Sequence, residues 1–252
     1  MVDVSVVILT RNEEKNIETC IKSCSFAKEV IVVDDGSTDN TKTLAESLGA
    51  RVISRSMNGD WGAQKTFAIE QASYDWIFLI DADEHCSAEL SLHIEKAVVV
   101  NKQVAYEIQR HNQFKYNKAT HGVLRPDYVC RLMPKAGTYV EGLVHEKVIT
   151  PYPVEQLSGA LYHYTYQNWE QYFNKFNKYT TLAARQYNAK GKSCSFFKDI
   201  LFRPLWAFIK VYILNKGFLD GKMGWILATN HYFYTMNKYV KLYYLNKSDG
   251  EL

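Results

Sequence analysis

Glycine is missing from the place where two common nucleotide-binding folds need it. The first apolar run of this 252-residue chain, Val4 to Leu9, is followed by Thr10-Arg11-Asn12-Glu13-Glu14. That turn offers neither the Gly-x-Gly-x-x-Gly of a dinucleotide site nor a glycine-rich basic loop to wrap a triphosphate, so both folds are disfavoured. Paired cysteines are missing as well. Cys20, Cys24, Cys86, Cys130 and Cys194 form no C-x-x-C, which argues against zinc and reads as reduced thiols in a cytosolic compartment. No stretch reaches the roughly 18 uninterrupted apolar residues of a membrane span. Met1 leads straight into a strand-like run instead of a basic segment and an apolar core, so no secretory signal is expected. Neither sign of charge dominates overall, with 30 Lys/Arg against 27 Asp/Glu, but the distribution is uneven. Residues 1–167 carry 17 Lys/Arg and 22 Asp/Glu, and residues 168–252 carry 13 and 5. The tail's cations do not gather in a nucleic-acid-binding motif, and nucleic acid is not an expected partner.

What is present begins with a stretch that organises the rest, Trp76-Ile77-Phe78-Leu79-Ile80-Asp81-Ala82-Asp83-Glu84. Five apolar residues in a row predict a strand buried on both faces. The strand then delivers three carboxylates to the edge of the sheet where open α/β folds bind ligands. In an extended segment Asp81 and Asp83 share a side, and paired hard oxygens suit Mg²⁺ or Mn²⁺ bridging to phosphate. The plainer reading is a strand end with solvated acids, where Ser87 caps a helix over residues 88–99.

Upstream, Val4 to Leu9 predicts a central parallel strand and Asn12 the cap of a helix bearing Ile17, Cys20, Ile21 and Cys24. Val30 to Val33 predicts a second strand closed by Asp34-Asp35-Gly36-Ser37-Thr38-Asp39, where Ser37 or Thr38 caps a helix that runs to Leu48. Carboxylates fixed at that strand end either begin a turn or accept the imide N–H of a uracil. Residues 51–54 predict a third strand, and 62–72 a helix with Gln64 and Lys65 in its first turn. Lys65 is either a surface lysine or an ammonium for a diphosphate. The order β-α-β-α-β-α-β predicts an α/β fold with a mostly parallel sheet. Beyond it the strand-like segments 104–110, 128–133, 143–149 and 161–166 look antiparallel and carry Glu141, His145, Glu146 and His163.

From Asn168 the pattern is helical, with an amphipathic stripe from Trp169 to Tyr187, an apolar stretch 196–214 bent at Pro204, and a last helix over 225–245. Lysines and aromatics on such helices suit either the plane of an anionic membrane or packing against the body or a second subunit. The organisation expected is a domain over 1–167, with nucleotide-sugar binding in 1–100 and the acceptor side in 101–167, followed by a basic, aromatic helical extension over 168–252.

Taken in order, Val4-Ser5-Val6-Val7-Ile8-Leu9-Thr10-Arg11-Asn12-Glu13, Val32-Val33-Asp34-Asp35-Gly36-Ser37-Thr38-Asp39, Ala63-Gln64-Lys65 and Asp81-Ala82-Asp83-Glu84 resemble the family 2 inverting glycosyltransferases of the GT-A fold. Gly142-Leu143-Val144-His145-Glu146 and Gly217-Phe218-Leu219-Asp220-Gly221 look like the branch that holds the lipopolysaccharide and lipooligosaccharide core β-1,4-glucosyltransferases. The resemblance implies that Thr10, Glu13, Asp34 and Asp35 hold the uridine of a UDP-sugar. Lys65 and Gln64 would lie near its ribose or diphosphate, and Asp81 with Ala82 at the nucleotide. Asp83 would bind Mg²⁺ or Mn²⁺, with Asp81 on the ribose or a metal-bound water and His163 completing the metal site. The family's usual Glu-Asp pair for the base is absent, and His145-Glu146 stands in its place.

These residues lead to an expected function of inverting hexosyl transfer, with glucose the implied sugar, from UDP-sugar to a glycolipid or oligosaccharide in the heptose region of the core. Glu146 is the expected general base, with Glu141 and Asp127 as alternatives. The chain is expected at the inner face of the cytoplasmic membrane as a peripheral protein, and an oligomer is open. Two other readings stay open: a transferase acting on a peptide or another cell-surface polymer, and a catalytically silent nucleotide-binding module at a membrane surface.

Overall fold

β1 (Val2–Thr10) is buried from both sides, as its unbroken apolar run requires. Val4, Val6 and Ile8 face one helical layer together with Ile17, Cys20 and Leu90, while Val7 and Leu9 face the opposite layer with Ala68 and Ile69. β4 (Trp76–Asp81) repeats the division: Trp76, Phe78 and Ile80 turn to the first layer, Ile77 and Leu79 to the second. The computed structural model describes residues 1–114, 120–142, 146–166 and 168–248.

The sheet has eight strands in the order β3-β2-β1-β4-β7-β6-β10-β5. β2 (Ala27–Asp34), β3 (Arg51–Ser54), β1 and β4 run parallel, whereas β7 (Asp127–Pro134) pairs antiparallel with β4 and with β6 (Ala105–Phe114). β5 (Glu84–Cys86) pairs antiparallel with β10 (Val154–Tyr166). β8 (Tyr139–Glu141) and β9 (Lys147–Ile149) form a separate hairpin. The α/β class and the helices α1 (Ile17–Ser23), α2 (Thr41–Ser47), α3 (Trp61–Glu70) and α4 (Ala88–Val100) agree with the sequence reading. Ser87 caps α4 by accepting the Leu90 N–H, as expected.

Four local expectations need correction. Asn12 does not cap α1. It adopts φ 55°, donates its N–H to Ser37 and accepts from the Thr38 N–H, joining the two turns at the sheet edge. Neither Ser37 nor Thr38 caps α2, which is preceded by Asn40. Asp81 and Asp83 do not lie along one extended segment, because the chain turns at Ala82 and Asp83 and re-enters the sheet as β5. The strand expected over 143–149 is seen as β9 alone, and Leu143, Val144 and His145 lie outside the described residues.

The chain divides into two compact units. One comprises Met1–His111 and Asp127–His163, and the other Asn112–Pro126 and Tyr164–Leu252. In the second unit, α5 (Trp169–Ala189) packs on α7 (Gly221–Lys247) through Tyr172 with Leu227 and through Ala184 with Tyr239 and Leu242. The stripe read from Trp169 to Tyr187 is therefore largely an internal contact. Between these helices, residues 196–214 form a continuous helical segment with π-helical turns on either side of α6 (Arg203–Ile209). Pro204 lies inside this segment, where the π-helical turn of residues 196–202 passes into α6.

Gly159 marks the tightest approach in the first unit. Its φ is +103° and a Cβ there would lie 2.5 Å from the Leu90 Cα. Gly159→Ala is expected to lower unfolding free energy by about 3 kcal/mol or more. Gly36→Ala, at φ +71° in open space, should cost about 1 kcal/mol. Urea denaturation of both variants checks this, and equal losses would contradict the packing of β10 on α4.

Candidate active site

Register brings the polar strand ends together. Thr10 pairs with Asp34 across β1 and β2, and Leu9 pairs with Asp81 across β1 and β4. Both Thr10 and Asp34 are buried. Asp34 Oδ2 accepts the Ser37 N–H at 3.0 Å, but Asp34 Oδ1 and the Thr10 hydroxyl have no partner among the described residues. Two buried orphans on neighbouring strands want a ligand's polar groups. Asp35 is tied to the Met57 N–H at 2.8 Å and to Arg11 at 3.0 Å. Glu13 accepts from the Asn16 amide at 2.6 Å, and its own N–H goes to Thr41.

α3 reaches this edge because its first turn is fastened to β8 and the residue after it. Asp60 caps the helix by accepting the Ala63 N–H, and the Gly62 N–H donates to the Gly142 carbonyl at 3.1 Å. A Cβ on Gly62 would sit 2.9 Å from that oxygen. The Thr66 hydroxyl bonds both the N–H and the carbonyl of Val140. The docking carries buried Lys65 to Glu146, with Nζ to Oε1 at 2.7 Å, and to Asp81 Oδ1 at 3.3 Å. Gln64 turns the other way. It is buried and bonds both the guanidinium and the carbonyl oxygen of Arg55.

The other oxygen of Asp81 meets Arg131, a buried guanidinium on β7, at 2.7 Å. Arg131 also binds Glu84 at 2.7 Å, and Glu84 accepts the Asp81 N–H at 3.1 Å. Burial alone would raise the Asp81 pKa, yet Arg131 and then Lys65 hold its carboxyl far below the ordinary range. The same two carboxylates outweigh desolvation at Arg131 and strengthen its hold on its proton. The sequence pattern alone did not mark Arg131 or Glu84 as buried charges of the site. The signal available was a charge inside the apolar run from Tyr128 to Met133.

Asp83 takes a different partner. β10 sets His163 opposite Glu84, and His163 Nε2 lies 3.3 Å from Asp83 Oδ2. Burial opposes a charged imidazole there, but the Asp83 carboxylate prevails and raises the His163 pKa above its usual value. Of Asp83, Asp81 and His163, the structure thus joins the first and third and turns Asp81 to Lys65 and Arg131. Among the described residues no three His, Cys, Asp or Glu side chains form a metal-binding group. An oxygen and a nitrogen donor fit a divalent ion that keeps its other positions for water and phosphate. Of the alternative bases, Asp127 is held by Arg110 at 3.0 and 2.7 Å, and Glu141 is exposed at the end of β8.

An α/β sheet of this order, with its acidic carboxyl edge and helical extension, has the architecture of a GT-A transferase. The chain belongs to glycosyl transferase family 2, whose family model matches residues 5–197. The lipopolysaccharide core biosynthesis glycosyltransferase LpsC of Rhizobium meliloti is 31% identical over 95% of this chain and 91% of its own. An uncharacterized glycosyltransferase of Rickettsia bellii is 34% identical over 88% of this chain and 80% of its own. Among solved structures, glucosyl-3-phosphoglycerate synthase of Mycobacterium tuberculosis matches 44% of each chain at 26% identity and a TM-score of 0.37, too slight a likeness to carry weight.

Replacing Arg131 with Met removes the cation from between two carboxylates. It should cost about 3–5 kcal/mol of stability, because buried Glu84 loses its closest cation and keeps only Arg110 at 3.3 Å, while Asp81 keeps only Lys65. Arg131→Lys should recover only part, since one ammonium does not match the guanidinium's geometry. Denaturant unfolding measures both, and a loss below about 1 kcal/mol for Arg131→Met would contradict the role assigned to this residue.

Proposed function

We propose that this site moves a hexose, with glucose the sugar favoured, from a UDP-sugar to a glycan hydroxyl in the heptose region of a lipopolysaccharide or lipooligosaccharide core, with inversion at the anomeric carbon. The observation that carries this reading is the Lys65 ammonium held between Glu146 and Asp81 at the edge where β4 ends. A cation there suits a diphosphate, and the carboxylate beside it suits a hydroxyl that must lose its proton. The orphaned oxygens of Thr10 and Asp34 favour a ligand rich in N–H and O–H donors, as the uracil and ribose of UDP are. The acceptor class rests on the similarity to LpsC along nearly the whole chain.

In the transfer, the acceptor oxygen bonds to the anomeric carbon as the bond from that carbon to the diphosphate oxygen breaks. The hydroxyl proton passes to Glu146, which Lys65 orients. One displacement inverts the centre and needs no covalent intermediate. Asp83 and His163 would hold Mg²⁺ or Mn²⁺, which when bound supplies Lewis-acid charge to the departing diphosphate. Asp81, engaged by Arg131 and Lys65, positions the lysine.

Glu146→Gln is expected to bind UDP in the presence of Mn²⁺ within about threefold of the parent and to lose transfer by about a hundredfold or more. Asp83→Ala should lose the Mn²⁺-dependent part of UDP affinity, by about tenfold or more. Calorimetry and UDP release, with heptose-containing core oligosaccharides as acceptors, read the two effects separately. Normal turnover by Glu146→Gln would remove this residue as the base.

A further inference from the structure

The second unit exposes apolar surface where a soluble helix would place polar residues. Within residues 196–226, Phe197, Phe202, Trp206, Leu214, Leu219 and Trp225 are each more than half exposed. Phe197, Phe202, Trp206, Lys210 and Leu214 recur at intervals of four and five, which suits a helix that passes from π to α to π turns. Ile200, Pro204 and Val211 are buried. The segment is thus apolar on two sides, and only one is covered. Side chains of this size at half exposure leave several hundred Å² of apolar surface, more than scattered surface residues account for.

The charges around this surface have one outward sign. Lys198, Arg203, Lys210, Lys216 and Lys222 are exposed. The two acids of the segment face inward: Asp199 pairs with Arg203 and accepts the Ser195 N–H, while Asp220 accepts the Thr120 and His121 N–H groups. Both acid side chains are only 6% exposed. An apolar stripe bordered by cations, with its acids withdrawn, complements an anionic lipid surface better than it complements a protein. No described helix is long and apolar enough to cross a membrane.

We propose that the face formed by residues 196–226 docks on an anionic bilayer and lies in the plane of its headgroups. The aromatic and leucine side chains enter the boundary between headgroups and acyl chains, and Lys198, Lys210, Lys216 and Lys222 meet lipid phosphates. The proposal does not rest on the transferase reading, though a glycolipid acceptor resides in such a surface.

Sedimentation with lipid vesicles tests it on the full chain. The parent should pellet with equimolar phosphatidylglycerol and phosphatidylcholine and stay in solution with phosphatidylcholine alone. A variant combining Phe197→Ser, Phe202→Ser and Trp206→Ser should lose binding by about tenfold or more. A second variant combining Lys198→Gln, Lys210→Gln, Lys216→Gln and Lys222→Gln should lose as much. Circular dichroism melting checks that both fold. If the first does not, quenching of the parent's tryptophan fluorescence by brominated lipid in anionic vesicles supplies the readout, and quenching is expected. Failure of the parent to bind anionic vesicles, or equal binding by parent and folded variants, overturns the proposal. So does a dimer that the serine substitutions abolish in a chain that ignores vesicles, because the face then belongs to a second copy. UDP release from UDP-glucose in solution, expected within about twofold of the parent in both variants, reports on the donor site separately.

Discussion

One guanidinium holds the site in shape. Arg131 lies between Asp81 at the end of β4 and Glu84 at the start of β5, at 2.7 Å from each. Glu84 and Arg131 are buried and Asp81 is half-buried beside them, so either buried charge without its partner would be a costly ion. The set also fixes the path of the backbone. Glu84 accepts the Asp81 N–H, so the turn through Ala82 and Asp83 is closed by a side chain that Arg131 has already placed. Asp83 therefore leaves the sheet at a defined angle and meets His163.

The division between Asp81 and Asp83 follows from that geometry. Two carboxylates separated by one residue would repel each other along a straight strand, but the turn gives each its own countercharge. Asp81 belongs to Arg131 and Lys65, and Asp83 faces an imidazole. Lys65 links this cluster to Glu146 across 81 residues of sequence, because α3 is pinned to the β8 side through Gly62 and Thr66. Charge balance at the edge is thus carried by side chains from β4, β5, β7 and α3 together.

Much of the frame was legible in the sequence, and the limit was physical. β1 and β4 were readable because burial on both faces demands an unbroken apolar run, which few other settings permit. α4 was readable because Ser87 has a local capping partner. The caps of α1 and α2 were misread because Asn12, Ser37 and Thr38 bond to one another between turns, a contact no local pattern reveals. Arg131 was under-read for the same reason: its partners lie 50 and 47 residues away, so its value depends on a fold not yet assembled. In the tail, amphipathic periodicity marked apolar faces but not which ones were covered. α5 covers Tyr172 and Ala184 against α7, while Phe197, Phe202 and Trp206 of the segment from 196 to 226 stay exposed.

In the proposed function, the acidic tip after β4 would grip a divalent ion through Asp83 and His163 so that a nucleotide diphosphate is held beside Lys65. Anomalous diffraction from crystals grown with Mn²⁺ and UDP measures this directly. A peak within coordination distance of both Asp83 and His163, with diphosphate oxygens completing the shell, is the predicted result. A peak elsewhere on the chain, or UDP bound with that pair still closed on itself and no ion between, would contradict the account.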